Sequence, residues 1–251
     1  MLAKNSQGVY TLSSFNNFKN LIHGFSTVKF GNMKPSSPGQ IAETERNLTN
    51  FLKTLGLEDP GLVKVQQIHG SKIAVVDKKD VGKGIKEADG LITRNKGLFL
   101  LVFVADCLPV LAFDPVEQIV GIAHAGWRGT LERAAENLIK VFITLGSNPK
   151  DIQIGLGPAI EFCHYEVGED VASKFKEAGF GKSVLNSVTG KIYLDLKQAN
   201  IEQLKGVGIP KENIDVSVKA CTYETEEFYS YRREKEKLTG EIACLIGLKD
   251  E

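Results

Sequence analysis

Three apolar runs in the middle of the chain constrain the fold more than any other feature: residues 98–105 (LFLLVFVA), 110–113 and 119–123. The first is unbroken, the pattern of a strand buried on both faces. The last two are separated by Asp114-Pro115-Val116-Glu117-Gln118, a hairpin-like connection. Two of the runs end in reactive side chains. The first closes in Asp106-Cys107, and the third in His124, followed by the glycine-rich turn Ala125-Gly126-Trp127-Arg128-Gly129. A third candidate, His69, ends another strand-like stretch in Gln66-Gln67-Ile68-His69-Gly70. An α/β protein places its chemistry at such strand ends.

Around this centre the pattern alternates. Residues 31–40 (GNMKPSSPGQ) read as an exposed loop. Residues 43–55 carry Leu48, Phe51, Leu52 and Leu55 on one helical face, with Gly56 as the stop. Strand signals fall at 62–65, 73–76, 90–93, 152–156, 192–194, 214–218 and 242–246, and helical periodicity at 130–145, 171–177 and 196–205. There is no internal repeat and no clean βαβ register. The expectation is one α/β domain spanning 1–251, a mixed β-sheet or sheets flanked by helices.

Composition excludes several classes. At 251 residues with 42% hydrophobic and 25% charged residues, the chain is an ordinary globular protein. Its formal net charge is zero, with both signs interleaved, which argues against nucleic acid or an anionic membrane as a partner. The first fifteen residues lack a secretory pattern, and the longest apolar run falls far short of the ~20 residues a membrane helix needs. Cys107, Cys163, Cys221 and Cys244 show no paired spacing. They read as free thiols in a reducing, cytoplasmic setting.

His69, Cys107 and His124 form a plausible zinc set, because thiolate and imidazole are favoured ligands and three of them leave a fourth position for water. Zinc lowers the pKa of such a water toward ~7. The spacings are not those of a local zinc motif, so plainer readings stand beside this one. By residue type alone Cys107 reads as a core thiol, and the two histidines as hydrogen-bonded loop residues. Their shared place at strand exits, beside Gly70, Pro109 and Gly126, favours one site. A helix starting near Gly129 or Thr130, with Arg128 beside it, suits a phosphate; the plainer reading is an arginine capping a turn or pairing with Glu132. Arg232 and Arg233 follow three aromatics in residues 228–233 (FYSYRR). That suits anion binding with base stacking, or else an edge strand leading into a charged surface run. Cys163-His164 reads as structural, since neighbours on a strand point to opposite faces. His23 has no assignment.

Together these segments resemble the multicopper polyphenol oxidase (laccase-domain) family, also known as the YfiH-like or purine nucleoside phosphorylase family. The matching pieces are HGFST at 23–27, QQIHG at 66–70, ADGLIT at 88–93, ADCLPVLAFDP at 105–115, GIAHAGWRGT at 121–130 and GLGPAI at 155–160. YEVGEDV at 165–171, LDLKQANIEQLKGVGI at 194–209 and CTYETEEFYSYRRE at 221–234 follow in order, so coverage is nearly complete. The resemblance implies a YfiH-like fold and a catalytic zinc on His69, Cys107 and His124. It also implies phosphorolysis of adenosine, inosine, guanosine and methylthioadenosine, with adenosine deamination as a second activity. Nucleoside and phosphate are then the partners, and Arg128, Arg232 and Arg233 are candidates to hold them. The chain departs from the family pattern at Val28, at Leu48 and at Glu241, where arginines are usual. Three rivals remain: a copper-dependent phenol oxidase, a metal-free cysteine hydrolase using Cys107 with His124 or His69, and a non-catalytic cell-wall editing factor.

Overall fold

The computed structural model describes residues 2–216 and 220–250. A seven-stranded sheet runs in the spatial order Leu2–Lys4, Tyr10–Leu12, Leu21–Phe25, Ile242–Leu248, Leu98–Val104, Gly61–Gln66 and Gly84–Lys86. Its neighbours are antiparallel as far as Leu98–Val104, and the last two strands join in parallel. A six-stranded sheet runs Ile214–Asp215, Gln153–Leu156, Leu108–Asp114, Ile119–Ala125, Gly90–Thr93 and Ile73–Val75. It is antiparallel at its centre and parallel at both edges. A small antiparallel sheet of Glu166–Val167, Lys191–Leu194 and Leu185–Val188 stands apart.

The two large sheets pack face to face. Leu98, Leu100, Val102 and Val104 of the first share a core with Leu111, Phe113, Val120 and Ile122 of the second. Strand side chains alternate between faces. Phe99, Leu101 and Phe103 therefore point the other way, onto Leu48, Phe51 and Leu52 of the helix Ile41–Thr54. Behind the second sheet, Val110, Ala112 and Ala123 pack on Leu138, Ile139 and Phe142 of the helix Ala134–Thr144. The order is helix, sheet, sheet, helix. This layering is why Leu98–Val104, Leu108–Asp114 and Ile119–Ala125 are buried along their whole length. A side chain at Gly121 would meet the Phe142 ring at 2.8 Å, so the helix can lie this close only over glycine.

Two expectations need correction, and a third lies partly outside the described residues. The periodicity over 130–145 suggested one helix, but there are two, Trp127–Leu131 and Ala134–Thr144. The break is Arg133, left-handed at φ 68°. Side chains satisfy the carbonyls freed there: Gln203 donates to the Thr130 carbonyl at 2.7 Å and Asn137 to that of Glu132 at 3.2 Å. Residues 228–233 are not an edge strand. Phe228 is fully buried in the central core, and Ser230 caps a helical turn, Tyr231–Glu234, by accepting from the Arg233 amide. The strand expected over 214–218 is present as Ile214–Asp215, with Val216 beyond its end, and 217–219 lie outside the described residues.

His23 belongs to the core rather than to any reactive site. Its Nε2 accepts the Leu12 amide at 2.7 Å, and its ring meets Phe15 edge-on. An amide N–H can be accepted only by an unprotonated ring nitrogen, so the fold holds this imidazole neutral. Burial accordingly pushes its pKa down to about 4 from the ordinary 6.5. The unfolded chain then binds more protons than the folded one between those two values. Stability is complete above pH 6.5 and falls through this window, by about 3 kcal/mol in all on His23's account. Urea titrations between pH 7 and pH 4 should show this loss, and His23→Gln, which cannot charge, should lack that portion of it. Equal pH dependence in both proteins would refute the assignment.

Candidate metal centre

His69, Cys107 and His124 meet at one edge of the sheets. Cys107 occupies the short link between Leu98–Val104 and Leu108–Asp114, and His124 is the penultimate residue of Ile119–Ala125, paired in register with Pro109. His69 lies beyond the end of Gly61–Gln66, held in the left-handed region at φ 62°. Their ligand atoms all lie within 4.8 Å of one another. The two imidazoles stand edge to face, 4.9 Å between centroids. Gly126 is essential to this approach, since a Cβ there would sit 2.8 Å from the Cys107 sulfur.

The residue that assembles the set is Asp89, which the sequence reading left without a role. Its fully buried carboxylate accepts the backbone N–H groups of Ile68, His69 and Gly70 at 3.1, 2.9 and 2.8 Å. The same carboxylate lies 2.9 Å from His124 Nδ1. That contact leaves Nε2 of His124 for the sulfur side, the arrangement by which a carboxylate fixes the tautomer of a metal-binding histidine. Gln67 adds a second anchor. Its amide donates to the Phe103 carbonyl at 2.8 Å and accepts the Phe103 N–H at 2.9 Å, as a neighbouring strand would. The Asp89 carboxylate between Ala88 and Gly90-Leu91-Ile92 was the available signal: an acid leading into an apolar strand needs partners.

The electrostatics follow from burial and proximity. Burial alone would push the Cys107 thiol up; the charge of His124 and hydrogen bonds from both imidazoles bring it down to about 7. Burial alone would push His124 down; the Cys107 sulfur and Asp89 raise it to about 9. Asp89 is pushed up by burial but held below the usual range by His124 and the loop amides. Two imidazoles and a thiolate-forming sulfur, with an ordered carboxylate behind them, fit a divalent metal with an open position.

The centre opens into a cleft of about 1340 Å³. Arg128 and Arg232 line it, the first stacked over Trp127 at 4.4 Å and the second over Tyr165 at 5.2 Å. Arg233 also borders the cleft, but its guanidinium donates to the carbonyls of Thr222, Tyr223, Thr225 and Phe228 and to Glu234. It is a clip for the 222–228 loop rather than a free anion ligand, which corrects the expectation for this residue. The charged run after it belongs partly to the cleft wall, not simply to a solvated surface. Asp106, left-handed at φ 88°, ties the Cys107 link to that loop by accepting from the Thr222 hydroxyl and the Arg232 amide at 2.5 and 2.6 Å. The helix after His124 starts at Trp127 rather than near Gly129 or Thr130. Of the three departures, Leu48 is core and Val28 sits in a short helical turn away from the cleft lining. Only Glu241 reaches the cleft, where it pairs with Lys34 at 2.9 Å.

The sequence model of the family described as multi-copper polyphenol oxidoreductase laccase matches residues 18–249. A purine nucleoside phosphorylase of Deinococcus radiodurans is 35% identical over 215 residues, 86% of this chain and 80% of the relative. A protein named adenosine deaminase RL5, from an unknown prokaryotic organism, is 35% identical over 189 residues, covering 71% of this chain and 72% of its own. The crystal structure of the hypothetical protein YfiH of Bacillus licheniformis superposes with a TM-score of 0.90 at 30% identity, over 99% of both chains.

Asp89→Asn keeps the shape of the carboxylate but loses its charge. It should weaken zinc binding roughly 10–100-fold in competition with a chromophoric chelator. An affinity unchanged from that of the unsubstituted protein would show that Asp89 does not support the centre.

Proposed function

The chain belongs to the multi-copper polyphenol oxidoreductase laccase family, and we propose that within it this protein is a zinc-dependent purine nucleoside phosphorylase that also deaminates adenosine. The observation that carries the reading is the convergence of His69, Cys107 and His124 beside a cleft that also presents Arg128 and Arg232. Zinc held by those three residues would supply Lewis acidity at neutral pH.

The chain's own residues do the rest. Arg128 and Arg232 offer planar donors suited to bidentate contact with a phosphate. Holding that phosphate against the ribose C1′ makes an otherwise bimolecular displacement effectively unimolecular. The transition state has oxocarbenium character, so correctly placed charge contributes more than any covalent step. Tyr165 is raised well above the ordinary tyrosine range, first by burial and then by the charge of Cys107, so its phenol stays protonated and can donate a hydrogen bond to substrate.

Zinc is favoured over copper by the histidine inventory. Of the four histidines, His23 is committed to the core and His164 to Glu224, so two imidazoles serve this centre. A multicopper cluster wants more. The Asp89–His124–Cys107 line does favour a second reading, a thiol activated by an oriented base. Such a relay needs only one imidazole, whereas His69 also hydrogen-bonds the Cys107 sulfur, and this second imidazole argues for the metal. The cytoplasm is the proposed setting, supported by four unpaired cysteines and by the finding that no described helix is long and apolar enough to cross a membrane. Small molecules, rather than nucleic acid or lipid, are the proposed partners, given zero net charge.

Zinc-loaded protein incubated with purine nucleosides should release free base and ribose 1-phosphate only when phosphate is present, and should convert adenosine to inosine without it. Cys107→Ala should lose the metal of this centre and, with it, turnover. Arg128→Ala should keep zinc while kcat/KM for phosphate falls roughly 10²-fold, the order expected for a donor to developing charge. Turnover that survives chelators but not thiol alkylation would establish the cysteine hydrolase. Phenol oxidation appearing only with copper would establish the oxidase, and inert zinc-bearing protein the non-catalytic factor.

A further inference from the structure

We propose that Cys163, His164 and Glu224 form a second zinc site, separate from the first and sharing no ligand with it. Their sulfur, imidazole nitrogen and carboxylate oxygen lie within 4.8 Å of one another. The expectation that adjacent Cys163 and His164 diverge assumed a strand; they sit instead on the 3-10 turn Phe162–His164 and reach the same carboxylate. His164 Nε2 is 2.7 Å from Glu224 Oε1, and Cys163 Sγ is 3.9 Å from the same oxygen.

The scaffold beneath the three is ordered before any ion arrives. Ala159 and Cys221 form a parallel bridge, the Thr222 amide donates to the Ala159 carbonyl at 3.2 Å, and Cys221 Sγ accepts the Glu161 amide at 3.3 Å. The His164 ring lies flat on Tyr223, 4.6 Å between centroids and 19° from parallel, so its plane is fixed. Glu224, exposed on the loop, is free to re-aim.

Thiolate, imidazole and carboxylate are all zinc donors, with bonds of about 2.0–2.3 Å that set tetrahedral ligand atoms roughly 3.3–3.7 Å apart. The observed separations bracket that range, and a small swing of the Glu224 carboxylate meets it. Binding converts the Cys163 thiol to a Zn–S bond and releases its proton to solvent. Water completes the coordination, because the cluster faces outward. An ion here would tie the 162–164 turn to the 221–224 loop. The first leads directly into Tyr165 of the cleft wall, and the second carries Thr222, which bonds Asp106 behind Cys107.

Equilibrium dialysis of metal-stripped protein against Zn²⁺ tests the site. Two equivalents should bind to the unsubstituted chain, and one to Cys163→Ser and to Glu224→Gln. Cys107→Ser should also keep one equivalent. With Co²⁺ in place of zinc, that variant should still show a thiolate-to-cobalt charge-transfer band, which Cys107→Ser/Cys163→Ser should lose. Because Cys163 and Glu224 are exposed, circular dichroism of their variants should match the unsubstituted protein. A single equivalent abolished by Cys107→Ser, or a stoichiometry untouched by Cys163→Ser, overturns the proposal. A single equivalent abolished by Cys163→Ser supports it while refuting the first centre, so the two readings fail independently.

Discussion

Four donors converge on the carboxylate of Asp89, three consecutive backbone amides from the His69 turn and the imidazole of His124. The geometry of the candidate metal centre rests on these four contacts. They tie the His69 turn, which leaves the first sheet, to His124, which stands in the second. The left-handed backbone at His69 is unfavourable for a residue with a Cβ, by about 1–2 kcal/mol. The amides aimed at Asp89 offset it. A carboxylate buried this completely would be strongly destabilising with fewer partners.

The same logic extends to the reactive atoms. Cys107 and His124 shift in opposite directions because each stabilises the charged form of the other. Such a pair is poised rather than comfortable, since desolvation opposes both charges. A divalent ion among the three donors would relieve that opposition by binding the deprotonated forms, which couples metal uptake to proton release. Arg233 shows the complementary principle. A cation at the cleft edge is made structural by the carbonyls around it, while Arg128 and Arg232 rest on aromatic faces and keep their donors available.

Much of this architecture was legible in the residues. Unbroken apolar runs such as Leu98–Val104 marked strands covered on both sides, and the helix face of Leu48, Phe51 and Leu52 was plain from its spacing. The three metal-binding candidates stood out because reactive side chains interrupted apolar strands beside turn residues. The supporting contacts were less visible. Asp89 acts across more than thirty residues of sequence, and no local pattern announces which imidazole a carboxylate will orient. Arg133 breaks a helix without glycine or proline, because a tertiary hydrogen bond from Gln203 and a local one from Asn137 satisfy the ends. Arg233 and Arg232 are chemically identical neighbours whose roles differ only through what surrounds them.

The strand Ile242–Leu248 lies between Leu21–Phe25 and Leu98–Val104 and bonds to both along its length. During synthesis, the segments flanking its slot emerge long before it does. Until residue 248 has left the ribosome, the seven-stranded sheet stays split, with two unsatisfied inner edges and a half-covered apolar face. Such late, non-local closure slows folding and prolongs exposure of aggregation-prone surface. Nascent chains of this protein should therefore lean on holdase chaperones until that strand has emerged, and the Cys107 link, anchored at the end of one of those waiting strands, gains its final geometry only once it has paired.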